Sequence, residues 1–460
     1  MSFRLGDLAH ACSGELLGPA GLEITSVSTD TRALAAGALF VAVRGENFDG
    51  HDFLVEAARR GAAAVLIARV PDESLGVPAI VVKDTVTALG ALARAHRAKF
   101  AGPVVAITGS NGKTTTKELC ARILEASGHR VCRTPGNLNN HIGLPLSILG
   151  LAADDEVLVV ELGMNHAGEI DALTRIADPT VGAVTNVAPA HLGLLGSLEA
   201  IADAKGELFA RMRPEATAIV NADDPCCVTQ SARVAGKKLR FGIRAPAEFR
   251  ARLAHSEHGA AVYTLECPAG DAQVRMRAPG LHLVDNGLCA AAAAYATGLL
   301  GARPLDAIRR GLEEFSGVPG RVALVRAPNG VLVIDDSYNA NPHSVARALE
   351  TLAELRGSGR ALAVLGDMFE LGDEAPALHA EVGRRAAAAG VDVLVAVGEL
   401  SAHTAAAARA AGLTRVFETS SVEDAAARVR QNARSGDAVL VKGSRGMKLE
   451  RVVKLLTESC

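Results

Sequence analysis

The sequence has no tryptophan, and its 460 residues include only three tyrosines and eleven phenylalanines. With so few large rings, the cores have to be assembled from Ala, Val and Leu. Neither sign of charge dominates: 48 Lys and Arg face 51 Asp and Glu, a formal net charge of −3. Such a balance gives no reason to expect nucleic acid or an anionic membrane as a partner. Long apolar runs are missing as well. The longest uncharged stretch, "GLCAAAAAYATGLLGA" at 287–302, is too short to span a bilayer and reads as a buried helix. At the N-terminus, "MSFRLGDLAHACSG" carries Arg4, Asp7 and His10 in place of the apolar segment of a signal peptide. The eight cysteines form no C-x-x-C pair, which argues against a zinc site and fits reduced thiols in a cytoplasm.

What remains is a soluble composition, 49% hydrophobic and 22% charged, in a chain long enough for about three domains. Residues 1–85 alternate the strand-like "ITSVSTD", "ALFVAV", "AAVLIA" and "AIVVKD" with the helix candidate "HDFLVEAARRG", which Gly61 closes. Residues 86–312 repeat strand and helix. Their continuous apolar runs, such as "VVAITG", "VLVVELG" and "VGAVTNV", predict an α/β fold with a doubly wound, mostly parallel sheet. Alternating polarity in "VYTLEC" and "AQVRMRA" adds a small antiparallel patch at its edge. Residues 313–460 open on the hairpin-like "VALVRAPNGVLVIDDS" and continue as a second doubly wound, Rossmann-like unit.

The stretch "VVAITGSNGKTTTKEL" at 104–119 begins as a buried strand, turns at Gly109 and enters a helix. Ile107 stands where the eight-residue form of a phosphate loop has its first glycine. The physical parts of a phosphate site are nevertheless there. Gly109 and Gly112 free the turn from side-chain sterics, and the helix start offers unpaired N–H groups to an anion. Lys113 supplies a charge for the outer phosphates, and the Thr114 hydroxyl a ligand for magnesium. Following strand ends of the same sheet, where ligands of such folds gather, come Glu161, His191 and Lys205. Carboxylate, imidazole and hydroxyl beside a triphosphate would suit magnesium, although nitrogen is a minority ligand for that ion.

Three further polar clusters stay open on their residues alone. "RTPGNLNNHIGLPLS" at 133–147 is a loop or a site. "IDDSYNANPHS" at 334–344 binds ribose or metal, or caps the helix after Pro342. "VKGSRGMKLE" at 441–450 offers Lys442, Ser444 and Arg445 to a carboxylate, or is a solvated basic turn.

Taken in order, "TGSNGKTTTKE", "GNLNNHIGLPL", "ELGMNHAGEI", "AHLG" with "AKGELF", "DDSYNANP", "LGDMFELG" and "VKGSRGMKLE" resemble the Mur ligase family over nearly the whole chain. That family's phosphate loop runs T-G-x-N/S-G-K-T without the first glycine, which accounts for Ile107. "DDSYNANP" and "GDMFELG" resemble, more narrowly, the branch that adds D-alanyl-D-alanine. The resemblance implies an ATP-dependent ligase using Mg2+, a cytoplasmic monomer of peptidoglycan precursor synthesis. Its substrates would be UDP-N-acetylmuramoyl-tripeptide and D-alanyl-D-alanine.

The same resemblance implies roles by position. Ser28, Asp30, Thr31 and Arg32 would hold the UDP end. Thr108, Gly109, Ser110, Asn111, Gly112, Lys113 and Thr114 would wrap the ATP phosphates. Asn286 would lie by the adenine, with Arg321 and Asp336 reaching the nucleotide from the third block. Thr114, Glu161, His191 and Lys205 would bind metal, Lys205 as a carbamate, and Lys113, Glu161, His191 and Lys205 would carry catalysis. Asn137 and Asn140 would face the sugar-peptide, and Lys442, Ser444 and Arg445 the incoming dipeptide. Two departures stand out. The family's nucleotide motif reads Arg-His-Asn where this chain has "LHLVDN", with Leu281 and Leu283 around His282, and Asp203 replaces a common lysine.

Two rival functions are weaker. A family member adding the third amino acid usually carries "DNPR" in its last domain, and that motif is missing. A nucleotide-switched binding protein without transfer would need no second substrate domain, and Glu161, His191 and Lys205 argue against it.

Overall fold

The computed structural model describes residues 3–45, 48–189, 192–257, 259–280 and 282–458. Among them the main strands form sheets of five, nine and six strands, drawn in turn from residues 15–81, 104–276 and 323–442. This is the three-part, mostly parallel α/β architecture expected from the apolar runs. Val104–Thr108, Val157–Glu161, Val181–Val184 and Ala438–Lys442 are buried at every position, as strands covered by helices on both faces must be.

In the nine-stranded sheet Val104–Thr108 lies between Val157–Glu161 and Val181–Val184, parallel to both. The chain builds outward from it first on one side, to Val131–Arg133, and then on the other, through Thr217–Asn221 and Lys237–Gly242. The order of connection therefore reverses at Val104–Thr108, which opens a crevice beyond its carboxyl end. The antiparallel patch forms from Phe249–Glu257, Ala260–Cys267 and Gly270–Met276 at one edge, as the alternating polarity predicts.

One face of this sheet shares a core with the first block. Leu39, Leu66 and Ile80 pack in the same cluster as Leu89 and Leu92 of the helix Thr85–Arg97 and Val104 and Leu158 of the sheet. The other face is covered by three helices, Lys113–Ala126, His282–Ala296 and Pro304–Glu313. Their packing uses very small side chains. Ala290 to Ala294 have no exposed surface, and a Cβ on Gly311 would sit 2.5 Å from Ile123 Cα. The uncharged stretch after 287 is thus a buried helix, and no described helix is long and apolar enough to cross a membrane. The described cysteines are all free thiols.

The third sheet begins with the expected hairpin: Ala323–Arg326 pairs antiparallel with Leu332–Asp335, and Gly330 takes φ +82° in the turn. Leu332–Asp335 then runs parallel to Ala438–Lys442, with Asp335 opposite Val441. Asp336 and Lys442 consequently leave adjacent strands side by side, facing the central crevice.

Candidate active site

The phosphate loop is held open by close backbone approaches. Gly109 has φ +142°, and a Cβ there would lie 1.9 Å from Thr185 Oγ1. Gly112 has φ +80°, and its Cβ would meet Asn286 Oδ1 at 2.2 Å. Both glycines are therefore required twice, by backbone angle and by space. Asn111 is tied down on two sides: its N–H donates to Asn186 Oδ1 at 3.0 Å, and its carbonyl accepts from Thr185 Oγ1 at 2.6 Å. Ser110 Oγ donates to Ala188 O at 2.9 Å. Thr108 is wholly buried at the strand end, with no partner for its hydroxyl among the described residues. Lys113 folds back to donate to Gly109 O at 2.8 Å, and burial lowers its pKa against the opposing pull of Glu161.

Glu161 is the hub of the polar floor. Its Oε2 accepts from Thr114 Oγ1 at 2.7 Å and its Oε1 from Asn139 Nδ2 at 2.7 Å, while its N–H donates to Thr134 Oγ1. Lys205, on the helix Leu198–Arg211, is 2% exposed and so is no solvated surface lysine. Burial, reinforced by the Lys113 ammonium, drives its pKa well below the usual lysine range. His191 lies outside the described residues, as does Leu281. Among the described residues no three His, Cys, Asp or Glu side chains cluster as a ready-made metal site.

The third block supplies the opposite wall. Lys442 Nζ lies 2.6 Å from Asp336 Oδ2 and donates to Asn339 O at 2.8 Å. Burial raises the Asp336 pKa and the Lys442 ammonium opposes it. The Arg321 guanidinium stacks over the Tyr338 ring at 4.3 Å, and the Arg445 guanidinium approaches the same ring at 5.4 Å. Ser444 Oγ accepts from Phe369 N at 2.9 Å, so it fixes the neighbouring turn.

Together these surfaces enclose a cleft of about 440 Å³. It gathers Ser110, Asn111, Gly112, Lys113, Asn137, Glu161, Lys205, Asn286, Arg321, Asp336, Lys442, Ser444 and Arg445 from the sequence-predicted set. Ser28, Asp30, Thr31 and Arg32 are not among its lining residues and lie on the first block. There Asp30 accepts from the Arg32 backbone and pairs with its guanidinium, which lowers the carboxyl pKa to about 2. Asn140 does not line the cleft either: its Oδ1 accepts from Ile142 N and Gly143 N at the start of the helix Gly143–Leu149.

Three stretches of the chain match the family in order: "Mur ligase family, catalytic domain" over residues 23–97, "Mur ligase middle domain" over 107–294, and "Mur ligase, glutamate ligase domain" over 320–445. A relative from Escherichia coli (strain K12), UDP-N-acetylmuramoyl-tripeptide–D-alanyl-D-alanine ligase, is 39% identical over 461 residues, covering 100% of this chain and 99% of its own. The protein of that name from Bacillus subtilis (strain 168) is 37% identical, covering 98% of each. The chain belongs to the Mur ligase family. Among solved structures, MurF from Acinetobacter baumannii superposes with TM-score 0.89 at 32% identity, covering 100% of this chain and 99% of that one. MurF from Thermotoga maritima in complex with ADP gives 0.80 at 31% identity, covering 94% and 97%.

Three residues of this Mur ligase site escape a reading of its sequence. Asn139, not its neighbours, reaches the Glu161 carboxylate. Tyr338 sits inside a recognisable motif, yet nothing in the spacing shows that two guanidinium groups meet over its ring. Asn341 caps the helix Pro342–Leu355 in a reciprocal capping box with Ser344 and at the same time reaches Asn111. The Mur ligase motif around His282 departs from its family, and here His282 and Asp285 line the cleft beside Asn286.

Proposed function

We propose that this chain joins D-alanyl-D-alanine to UDP-N-acetylmuramoyl-tripeptide at the expense of ATP, in the cytoplasmic assembly of peptidoglycan precursor. The observation that carries this is the single cleft in which a phosphate loop faces Arg321, Asp336 and Arg445 of another sheet. Full-length relatives that share this architecture are named for that reaction. A monomer is the proposed working form.

An oxygen of the tripeptide's terminal carboxylate attacks the γ-phosphorus of ATP and ADP leaves. The dipeptide amine then attacks the acyl carbon, loses a proton, and phosphate departs as the amide forms. The chain contributes placement and charge neutralisation. Lys113 and the N–H groups at the start of the helix Lys113–Ala126 face the charge that builds on the transferred phosphoryl group. The ribose and adenine lie toward Asn286, Arg321 and Asp336, the sugar-peptide toward Asn137 with Asn140 beyond, and the dipeptide toward Lys442, Ser444 and Arg445. The UDP end extends to Ser28, Asp30, Thr31 and Arg32.

Thr114 Oγ1 and Glu161 Oε2, 2.7 Å apart, are oxygen donors of the kind a hard divalent cation takes. They fit Mg2+, which when bound would offset phosphate charge; His191 and a carbamylated Lys205 complete the proposed ligand set. An amine kept neutral by burial is the form that reacts with carbon dioxide, and the surroundings of Lys205 favour that form.

Incubation of the protein with ATP, Mg2+ and both substrates tests the reaction. The expected product is heavier than the tripeptide substrate by one dipeptide less water, with sustained ADP release over many turnovers only when both substrates are present. Sustained ADP release without the dipeptide, beyond about one equivalent per enzyme, or none with both, would count against it. Parallel reactions with diaminopimelate and lysine tripeptides define the third residue.

A further inference from the structure

Lys117 lies one helical turn beyond Thr114 on the helix Lys113–Ala126, and its side chain has no exposed surface. A buried ammonium is retained only where its donors are met. Here Nζ donates to Thr134 O at 2.5 Å and to Gly136 O at 2.9 Å, and lies 3.0 Å from Glu118 Oε1. Two carbonyls of one loop thus converge on one cation. An apolar side chain of equal length would fill the volume and leave both carbonyls without their donor.

That loop returns to the site. Thr134 Oγ1 accepts from Glu161 N at 3.1 Å, and Asn139 Nδ2 donates to Glu161 Oε1 at 2.7 Å. Asn139 is itself locked in place: Gly163 N donates to its carbonyl at 2.8 Å, and a Cβ on Gly163 would strike its side chain at 2.6 Å. Glu161 Oε2 accepts from Thr114 Oγ1 at 2.7 Å, which brings the path back to the helix it left. The bonds close a ring: Lys117, loop, Asn139, Glu161, Thr114.

We propose that Lys117 is a positioning residue, which pins residues 134–136 and through Asn139 aims the Glu161 carboxylate, while holding Asn137 at the cleft. It touches no reacting atom. Its effect on substrate constants rests on the ligase activity proposed above; its effect on the loop does not.

The test compares the full-length protein with Lys117→Met and Asn139→Ala. Amide hydrogen exchange of the free proteins is read across residues 133–140, and KM is measured for each substrate. Both variants are expected to exchange this segment faster than wild type, with the helix His282–Ala296 unchanged. Both should raise KM for the UDP-linked tripeptide about tenfold, the effect typical of removing a supporting hydrogen bond behind a ligand group, and leave the dipeptide KM alone. A folded Lys117→Met with wild-type exchange over 133–140 overturns the proposal. So does an equal rise in both KM values, which is what a general loosening would give. If Lys117→Met does not fold, Asn139→Ala decides alone, and an unchanged tripeptide KM in it overturns the assignment. If wild type makes no product, the ligase activity is refuted, and the exchange measurement still decides the role of Lys117.

Discussion

The Asn341 side-chain amide donates to Asn111 Oδ1 at 2.8 Å, joining the cap of a third-block helix to the middle of the phosphate loop. Asn111 is thereby oriented from two sheets at once, by Asn186 within its own and by Asn341 across the cleft. Whatever moves the third block also pulls on the loop.

Asn341→Ala removes both functions and Asn341→Ser only one. The alanine variant should lose about 1 kcal/mol of stability with the cap, and its KM for ATP should rise. Serine caps nearly as well but is too short to reach Asn111. Thermal melts and ATP titrations of the two variants check this; a serine variant with wild-type KM for ATP would show that the cross-cleft bond does nothing.

Gly112→Ala should be more damaging than its size suggests. The left-handed backbone costs about 1–2 kcal/mol for any side chain, and the new methyl group must displace Asn286. ATP binding is expected to fall at least as far as in Asn286→Ala. Calorimetric titration with ATP and Mg2+ compares the two, and a Gly112→Ala protein that binds as wild type does would refute the steric reading of this contact.

Lys205→Ala should lose most activity and regain part of it on addition of short carboxylic acids. A bare cation beside Mg2+ would be repelled by several kcal/mol at short range, whereas a carbamate would attract it. The anion added in solution would occupy the space that a carbamate would leave. Full activity of the variant in carbonate-free buffer would mean that the lysine plays no part in holding metal.

Two cleft residues beside Asn286 pull stability in opposite directions with pH. Burial, aided by Arg347 and Lys442, lowers the His282 pKa to about 4 from 6.5, so the unfolded chain gains a proton first as pH falls from 6.5 to 4. That lowers stability in acid. Burial, opposed by Arg347, raises Asp285 to about 6 from 3.8, so here the folded chain gains its proton first as pH falls from 6 to 4. That raises stability in acid and offsets His282. Asp285→Asn removes the offset, and its urea midpoint should fall more steeply than wild type between pH 6.5 and 4.5. Parallel curves would show that Asp285 titrates normally.

The strands were legible because burial on both faces leaves an unbroken apolar run, as in Val157 to Val160, and the loop because glycine and Lys-Thr spacing states its own geometry. Glu161 was legible as the polar residue closing such a run. Side-chain direction was not. In "GNLNN" nothing distinguishes Asn139, which meets Glu161, from Asn140, which accepts from the backbone of Ile142 and Gly143. Buried lysines were equally hidden. Lys117 is flanked by Thr116 and Glu118, and Lys205 stands two residues from Glu207, which looks solvated but accepts from Gly168 N and Asp171 N at a neighbouring helix start. Local composition describes a helix surface, and only the packed neighbours show which part of it is interior.

The helix that carries Asn286 against Gly112 continues into five alanines with no exposed surface. No shorter side chain bearing a Cβ exists, so this stretch can change in essentially one direction, toward bulk. Enlargement there would push the helix off its neighbour and shift Asn286, several residues away, relative to a turn that has no spare room. Mutational tolerance in this protein should therefore not track distance from the cleft: methyl groups deep in the scaffold should be as hard to replace as Lys113 in the loop.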